Sequence, residues 1–237
     1  MDNCKNCTTA ITDKYCSNCG QPAQLKRIDL HYILHEIEHV LHFERGFLYT
    51  IKEILLRPGK NIQEFLTENR SRLVKPILFM VVVSLIYSLI NHYFHIEEHY
   101  ATGTVTRKSA ITVMGDWVQK HYGYANIIMG VFIALWVKLF FRKYPYNLFE
   151  IVVMLCFVIG MGMLMLSVSA LFEGLTGIPV FLYSNFLATV YCAWAIGQFF
   201  DKTKPRNYIK AFVAYLFGVI TFWGLIIILG TVIDLVF

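Results

Sequence analysis

Long apolar segments dominate this sequence and limit what it can fold into. Five of them are close in length to the roughly 20 residues that an α-helix needs to cross a bilayer. Within a bilayer, helices satisfy every backbone polar group internally, so such segments fold as helices. They lie near residues 76–94, 124–141, 148–172, 178–200 and 208–237. With 57% hydrophobic residues, the chain is too apolar for a soluble domain, and we predict an all-α polytopic membrane protein with five transmembrane helices.

The distribution of lysine and arginine predicts the orientation, because these residues favour the cytoplasmic side of short loops. The region from 95 to 123, between the first two spans, is poorer in them. The N-terminus is therefore expected in the cytoplasm, the C-terminus outside, and residues 95–123 in an extracytoplasmic loop. A net charge of +5 fits this topology and contact with anionic membrane lipids, and gives no separate support for nucleic-acid binding. The predicted cytoplasmic clusters are Arg57, Lys60, Arg70, Arg72 and Lys75, then Arg142 and Lys143, then Lys202, Lys204 and Arg206.

Two C-x-x-C motifs at the N-terminus predict a metal site. Cys4 and Cys7 form the first pair, and Cys16 and Cys19 form the second. Two such turns can direct four thiolates to one tetrahedral Zn²⁺, and a four-thiolate site has no open position for catalysis. Two disulfides or free thiols are the alternative, which a reducing cytoplasm disfavours. We therefore predict a structural zinc ribbon over residues 1–24.

The ribbon is an unpromising nucleic-acid binder. Lys5 and Lys14 are the basic residues near it, and Tyr15 is its aromatic residue. Nucleic-acid modules carry a denser basic and aromatic surface. Contact with a cytoplasmic protein, or with the membrane domain of the same chain, is the better prediction.

A histidine-rich segment raises an enzymatic alternative. Residues 35–39 read "HEIEH", which matches the H-E-x-x-H signature of zinc proteases, with Glu36 as the candidate catalytic base. Helical spacing over 28–43 places the histidines on the polar face of an amphipathic helix. A protease needs a third ligand and a sheltered cleft, so a chance match is favoured. A second metal or pH-sensing site and a solvated face are the other interpretations. The histidines of this polar face are His31, His35, His39 and His42.

Histidines recur near the outer end of the first span. His92, His95 and His99 have spacings of three and four, with Glu97 beside them. They would align on one face if the helix continued beyond the bilayer. A low-affinity divalent metal site and a polar helix end meeting water are the two interpretations.

Residues 25–75 join the ribbon to the first span. Apolar residues recur with helical spacing in 47–55 and again in 62–66, and "RPG" at 57–59 predicts a turn between them. The pattern predicts amphipathic helices at the membrane interface.

The same region resembles a known family. The motifs "CSNCG", "GFLYTIKEILLRPG", "IQEF" and "KPILF" together are similar to those of the bacterial membrane proteins called domain of unknown function 3667, which have an N-terminal zinc ribbon. The resemblance implies this architecture and a location in the cytoplasmic (inner) membrane. It implies no catalytic residues.

Three functions are consistent with these features. The favoured one is a non-enzymatic integral membrane protein that acts as a scaffold, assembly factor or regulator. The alternative is a channel or transporter, as a homo-oligomer, whose histidine clusters bind cations or sense pH; it predicts a water-filled path near Asn185 or Ser167. The third is a membrane metalloprotease that uses "HEIEH".

Overall fold

The computed structural model of the protein describes residues 3–10, 14–22, 46–100 and 109–236, apart from the side chains of Glu98 and His99. Within these ranges the regular structure is helical, with two isolated antiparallel bridges near the N-terminus. The helices are α1 (Phe47–Leu56), α2 (Pro58–Thr67), α3 (Pro76–Phe94), α4 (Ile96–Tyr100), α5 (Ala110–Lys120), α6 (Tyr122–Phe140), α7 (Leu148–Thr176), α8 (Phe181–Asp201) and α9 (Pro205–Val236). The all-α prediction is confirmed.

Of the described helices, α3, α6, α7 and α9 are long and apolar enough to cross a membrane, by length and composition alone. The chain thus has the features of a multi-pass membrane protein. The predicted number of five such spans is corrected to four. The predicted span at 178–200 forms α8, a helix of 21 residues that does not reach the same hydropathy. Asn185 and Gln198 within it are the reason, since amides lower the mean hydropathy of a short segment.

Helix α7 lies at the centre of the bundle. The apolar window of α7 is 72% buried, compared with 33% for α3 and α6 and 22% for α9. Helices α3, α6 and α8 pack against α7, and α9 packs against α6 and α8. Helices α6, α7, α8 and α9 therefore form a ring in which each contacts the next, and α3 covers its outside. Large apolar residues on the outer surface, such as Leu89 and Ile228, are exposed in the way that lipid-facing residues are.

Helices α1 and α2 form a hairpin that is built into the bundle at the end where α3 begins. The Tyr191 hydroxyl of α8 donates to the Ile54 carbonyl over 2.8 Å, and Phe65 of α2 packs edge-on against Phe157 of α7 at 5.3 Å. Gly59 permits the approach: a Cβ there would lie 2.5 Å from the Gln198 backbone. The amphipathic helices predicted near 47–55 and 62–66 thus bury their apolar sides against α7 and α8.

Arg72 joins the hairpin to the linker before α3. Its guanidinium forms ion pairs with Glu53 of α1 and Glu64 of α2, and its Nε donates to the Tyr49 hydroxyl over 2.8 Å. The hydrogen bond to Tyr49, together with the two carboxylates, raises the pKa of Arg72. One cation thereby connects α1, α2 and the linker, which sets the direction in which the chain enters α3.

The region at 95–123, predicted as a loop, contains the two short helices α4 and α5. Carboxylates of α7 and α9 attach these two helices to the end of the bundle opposite the α1–α2 hairpin. The Tyr100 hydroxyl donates to Glu173 of α7 over 2.8 Å. At the start of α5, the Ala110 N–H and the Ser109 hydroxyl donate to Asp234 of α9. This region therefore covers one end of the helical ring.

Candidate functional site

The four N-terminal cysteines converge on one point. The Sγ atoms of Cys4 and Cys19 are 3.6 Å apart, those of Cys7 and Cys16 are 3.5 Å apart, and all four lie within 4.8 Å of one another. In a tetrahedral site with metal–sulfur bonds of about 2.3 Å, any two sulfur atoms lie about 3.8 Å apart. Cys4 and Cys16 are buried, so the cluster is shielded on one side. These residues can hold one metal ion.

Each C-x-x-C pair is held by the same local hydrogen bonds. The Cys4 N–H donates to the Thr9 carbonyl and the Cys4 carbonyl accepts from Thr8, both over 2.8 Å. The Cys16 turn repeats both bonds at 2.8 Å, with Gln21 and Gly20 as partners. The two turns are thus copies of one motif, and each closes with an isolated β-bridge. Each turn presents two thiols, and the short sulfur–sulfur distances of Cys4 to Cys19 and of Cys7 to Cys16 join one turn to the other.

The thiols differ in acidity because their surroundings differ. The hydroxyl of Thr9, followed by its backbone N–H, lowers the pKa of the Cys7 thiol to about 6. Backbone N–H groups of Cys19 and Asn18 act in the same direction on Cys16, but burial and the neighbouring sulfurs outweigh them and raise the pKa of Cys16 to about 11. Two adjacent thiolates repel each other, and a bound cation removes that repulsion. The cluster is therefore suited to a cation.

The two cysteine turns, residues 3–10 and 14–22, form a small unit that we call the cysteine module. This module docks on the linker between α2 and α3, residues 68–75. The Gln21 side chain donates to the Glu68 carbonyl over 2.6 Å, and the Asn69 side chain donates to Asn6 over 2.7 Å. Gln21 and Asn69 are both buried. Lys5 adds a 3.8 Å ion pair with Glu68, which contributes little at this exposure. The module therefore contacts the chain's own linker, in the 25–75 segment that precedes the first span. Docking on the transmembrane helices themselves, and on a cytoplasmic protein, stay predictions.

Position 8 offers a test of the two turns. Thr8 and Gly20 occupy equivalent positions with φ of 61° and 71°, a backbone region that costs a residue with a Cβ about 1–2 kcal/mol. We expect Thr8→Gly to tighten metal binding about fivefold to thirtyfold and Gly20→Ala to weaken it similarly. Competition with a chromophoric chelator measures both. Weaker binding by Thr8→Gly would mean that the Thr8 hydroxyl, which donates to the Cys7 carbonyl over 2.7 Å, outweighs the strain.

The predicted outer histidine site is not formed as a helical stripe. Helix α3 ends at Phe94, and His95 adopts a left-handed conformation with φ of 54°. The helix therefore stops before His99, so the condition on which the alignment depended is not met. The metal-site and solvated interpretations of these histidines stay predictions. The rings of His92 and His95 are 6.1 Å apart and both residues are exposed.

The histidine-rich segment lies outside the described residues. His31, His35, His39 and His42, with Glu36 of the "HEIEH" motif, all fall within the undescribed range 23–45. The metal-binding and protease interpretations of these residues stay predictions.

Sequence reasoning did not identify the residues that dock the cysteine module. Asn6, Gln21 and Asn69 are ordinary surface residues by type, and the contacts join positions 47 and 63 residues apart. The one available signal was the "ENR" turn at 68–70 immediately before the first span, since a turn with a short amide side chain can also bind a neighbouring segment.

Residues 44–88 match the family model described as a protein of unknown function (DUF3667). The matched segment contains α1, α2, the linker and most of α3, and it confirms the resemblance on the motifs "GFLYTIKEILLRPG", "IQEF" and "KPILF". The motif "CSNCG" lies outside the matched segment. Neither the curated proteins nor the solved structures contain a significant match to this chain. The function therefore has to be argued from the geometry.

Proposed function

We propose that this chain, which carries the DUF3667 segment over residues 44–88, is a non-enzymatic protein of the cytoplasmic (inner) membrane that acts as a scaffold, assembly factor or regulator. The observation that carries the proposal is the four-cysteine cluster docked beside the start of the first span. A closed four-thiolate site supplies structure and leaves no coordination position for a substrate.

Zinc is the proposed metal. Four cysteines in a tetrahedral arrangement are typical of structural zinc, and no redox change is needed to explain them. Cys4, Cys7, Cys16 and Cys19 would hold the ion, and the ion would hold the two turns together. A module this small buries too little apolar surface to fold alone, so zinc loading would decide whether the docked surface exists.

The orientation follows from charge. The basic residues of the hairpin, the α6–α7 turn and the α8–α9 turn lie at the same end of the bundle as the cysteine module; among them are Arg57, Lys60, Arg142 and Lys202. By the positive-inside rule this end faces the cytoplasm, where a reducing environment keeps the thiols available for zinc. Helix α8 runs from beside Tyr100 at the far end of the bundle to beside Tyr146 at this end. Helix α9 therefore begins at this end as well, and its C-terminus would lie outside.

The regulatory surface would be the cysteine module with the hairpin beneath it. Tyr15 is 61% exposed on the module and Leu48 is 80% exposed on α1, and exposed aromatic residues are enriched in protein contacts. Sparse basic charge argues against nucleic acid. A cytoplasmic protein that contacts this face would therefore respond to zinc loading.

Zinc content distinguishes this function from the protease. We expect purified protein to hold one zinc ion, a Cys16→Ser, Cys19→Ser variant to hold none, and a His35→Ala, His39→Ala variant to hold one. Elemental analysis against protein concentration gives the ratios. A Cys156→Ser, Cys192→Ser variant is the matched control, because those cysteines lie in α7 and α8 outside the cluster.

Two results would count against the proposal. If the purified wild-type protein contained no zinc, the proposal of a structural zinc ion would be wrong. Two zinc ions in the wild type, with one lost in the histidine variant, would instead favour the protease, and Glu36→Gln would then be tested for lost proteolysis.

A further inference from the structure

A cavity of about 470 Å³ lies between α6, α7, α8 and α9 and is partly open to the surface. Its volume is within the range of sites that hold small organic molecules. Side chains from all four helices line it, and α3, α4 and α5 contribute at the end of the bundle away from the cysteine module. Asn185 lies in its wall, whereas the water-filled path that the channel or transporter interpretation predicts stays a prediction. Ser167 does not line it, and its hydroxyl donates to the Met163 carbonyl within α7.

One carboxylate dominates the charge of this cavity. Among the described residues that line it, Glu97 is the only one with a charged side chain. The hydroxyls of Tyr87 and Tyr122 donate to separate oxygens of Glu97. Both carboxylate oxygens of Glu97 are therefore held in place by tyrosine hydroxyls from two different helices. A negative charge held at an apolar cavity favours a cationic occupant.

A second polar group in the wall is unsatisfied. Asn126 of α6 is only 6% exposed, and its Nδ2 atom has no hydrogen-bond partner in the described part of the chain. A buried amide without a partner costs about 1–3 kcal/mol. Asn126 lines the same cavity as Glu97, so an occupant that brings a hydrogen-bond acceptor would remove this cost.

The rest of the wall is apolar and aromatic. Met129, Met163 and Leu166 supply aliphatic surface, and Phe181 and Trp223 supply rings. Aromatic faces attract organic cations by about 0.5–2 kcal/mol each, more when water is excluded. A hydrated metal ion would gain little binding free energy from apolar and aromatic walls. An ammonium group with an apolar body would contact the carboxylate and the rings through its charge and the apolar side chains through its body.

We propose that this cavity binds a monovalent organic cation: an amine or quaternary ammonium that has an apolar body and a hydrogen-bond acceptor. Glu97 is the counter-charge, Asn126 donates to the acceptor, and the aromatic rings contact the cationic head. The site lies at the opposite end of the bundle from the cysteine module and goes beyond the proposed scaffold or regulatory function, which it would supply with a small-molecule signal.

The probe is benzoylcholine, which has a trimethylammonium group, an ester carbonyl and a ring. Its neutral control is 3,3-dimethylbutyl benzoate, in which carbon replaces the nitrogen. Calorimetric titration of the purified full-length protein should show saturable binding of benzoylcholine. Glu97→Gln should weaken that binding at least about tenfold and leave the weak partition of the neutral ester unchanged. Asp116→Asn is the matched control, because Asp116 is exposed on α5 and does not line the cavity.

Asn126→Leu separates a binding role from a structural one. The substitution conserves volume and removes an unpartnered amide, so we expect a higher melting temperature together with about threefold to tenfold weaker benzoylcholine binding. Equal binding of the charged and neutral esters, or equal binding by wild type and Glu97→Gln protein that melts normally, would overturn the proposal.

The same measurement in lipid nanodiscs separates two sources of the cation. At an ionic strength that screens the anionic lipid surface, weaker probe binding when phosphatidylethanolamine replaces phosphatidylglycerol would show that a lipid ammonium group competes for the site. Equal binding in both lipids would indicate a soluble amine. Either result supports a cation site, and the zinc content of the cysteine module is independent of both.

Discussion

Withdrawal of the metal is expected to unfold residues 3–22 while the helical bundle stays folded. Structural zinc contributes roughly 10–16 kcal/mol of apparent binding free energy to small modules. The docking contacts that would remain are the two amide hydrogen bonds to Glu68 and Asn69 and one exposed ion pair, and these cannot replace it. Hydrogen exchange on the chelator-treated protein should show the amide protection of Thr8 and Gly20 falling by at least about a thousandfold.

Amides in the middle of α7, such as that of Phe157, are the internal control. They lie in the buried core of the bundle and should keep their protection. The Cys156→Ser, Cys192→Ser protein should respond to chelation as the wild type does. Unchanged protection at Thr8 and Gly20 after the metal is removed would show that the module folds by itself, and the structural role of the ion would be wrong.

The largest effect on the bundle is expected from Gly218→Ala in α9. A Cβ at this position would lie 2.4 Å from the Cα of Ile133 in α6, a backbone atom that cannot move without its helix. Small residues at such crossings allow transmembrane helices to approach closely. Separating α6 from α9 would open the ring around the cavity. We expect a loss of about 2–4 kcal/mol and a decrease in melting temperature of about 5–10 °C.

Gly224→Ala is the matched substitution in the same helix. No atom lies within 4 Å of a Cβ built at Gly224, and alanine is the better helix former. It should leave the melting temperature unchanged or raise it slightly. Equal effects of Gly218→Ala and Gly224→Ala in a thermal melt would mean that the α6–α9 crossing is not tightly packed.

Several elements were predictable because their cause is local. The first span was predicted at 76–94 and α3 is Pro76–Phe94, since Pro76 can begin a helix and the apolar run defines its length. The hairpin was predictable from helical spacing on both sides of "RPG". The convergence of the four cysteines was predictable because each turn is closed by bonds within its own few residues.

Other features were not predictable because their cause is distant along the chain. The stripe through His92, His95 and His99 was expected on the assumption that α3 continues. The helix stops at His95 and the chain turns so that Glu97 reaches Tyr87 and Tyr122. The carboxylate position depends on packing between α3 and α6, and no local pattern encodes it.

The sequence by itself determined which segments are apolar helices and which thiols share a metal site, because hydropathy, helix signals and the two cysteine turns act over a few residues. The tertiary structure decided where polar groups inside the bundle lie. Asn185 lowers the hydropathy of α8, and Asn126 interrupts an apolar helix; both become cavity residues only when four helices close into a ring. The physical reason is that an amide in an apolar helix must lie either in lipid or in the interior, and the packing of neighbouring helices alone provides the interior.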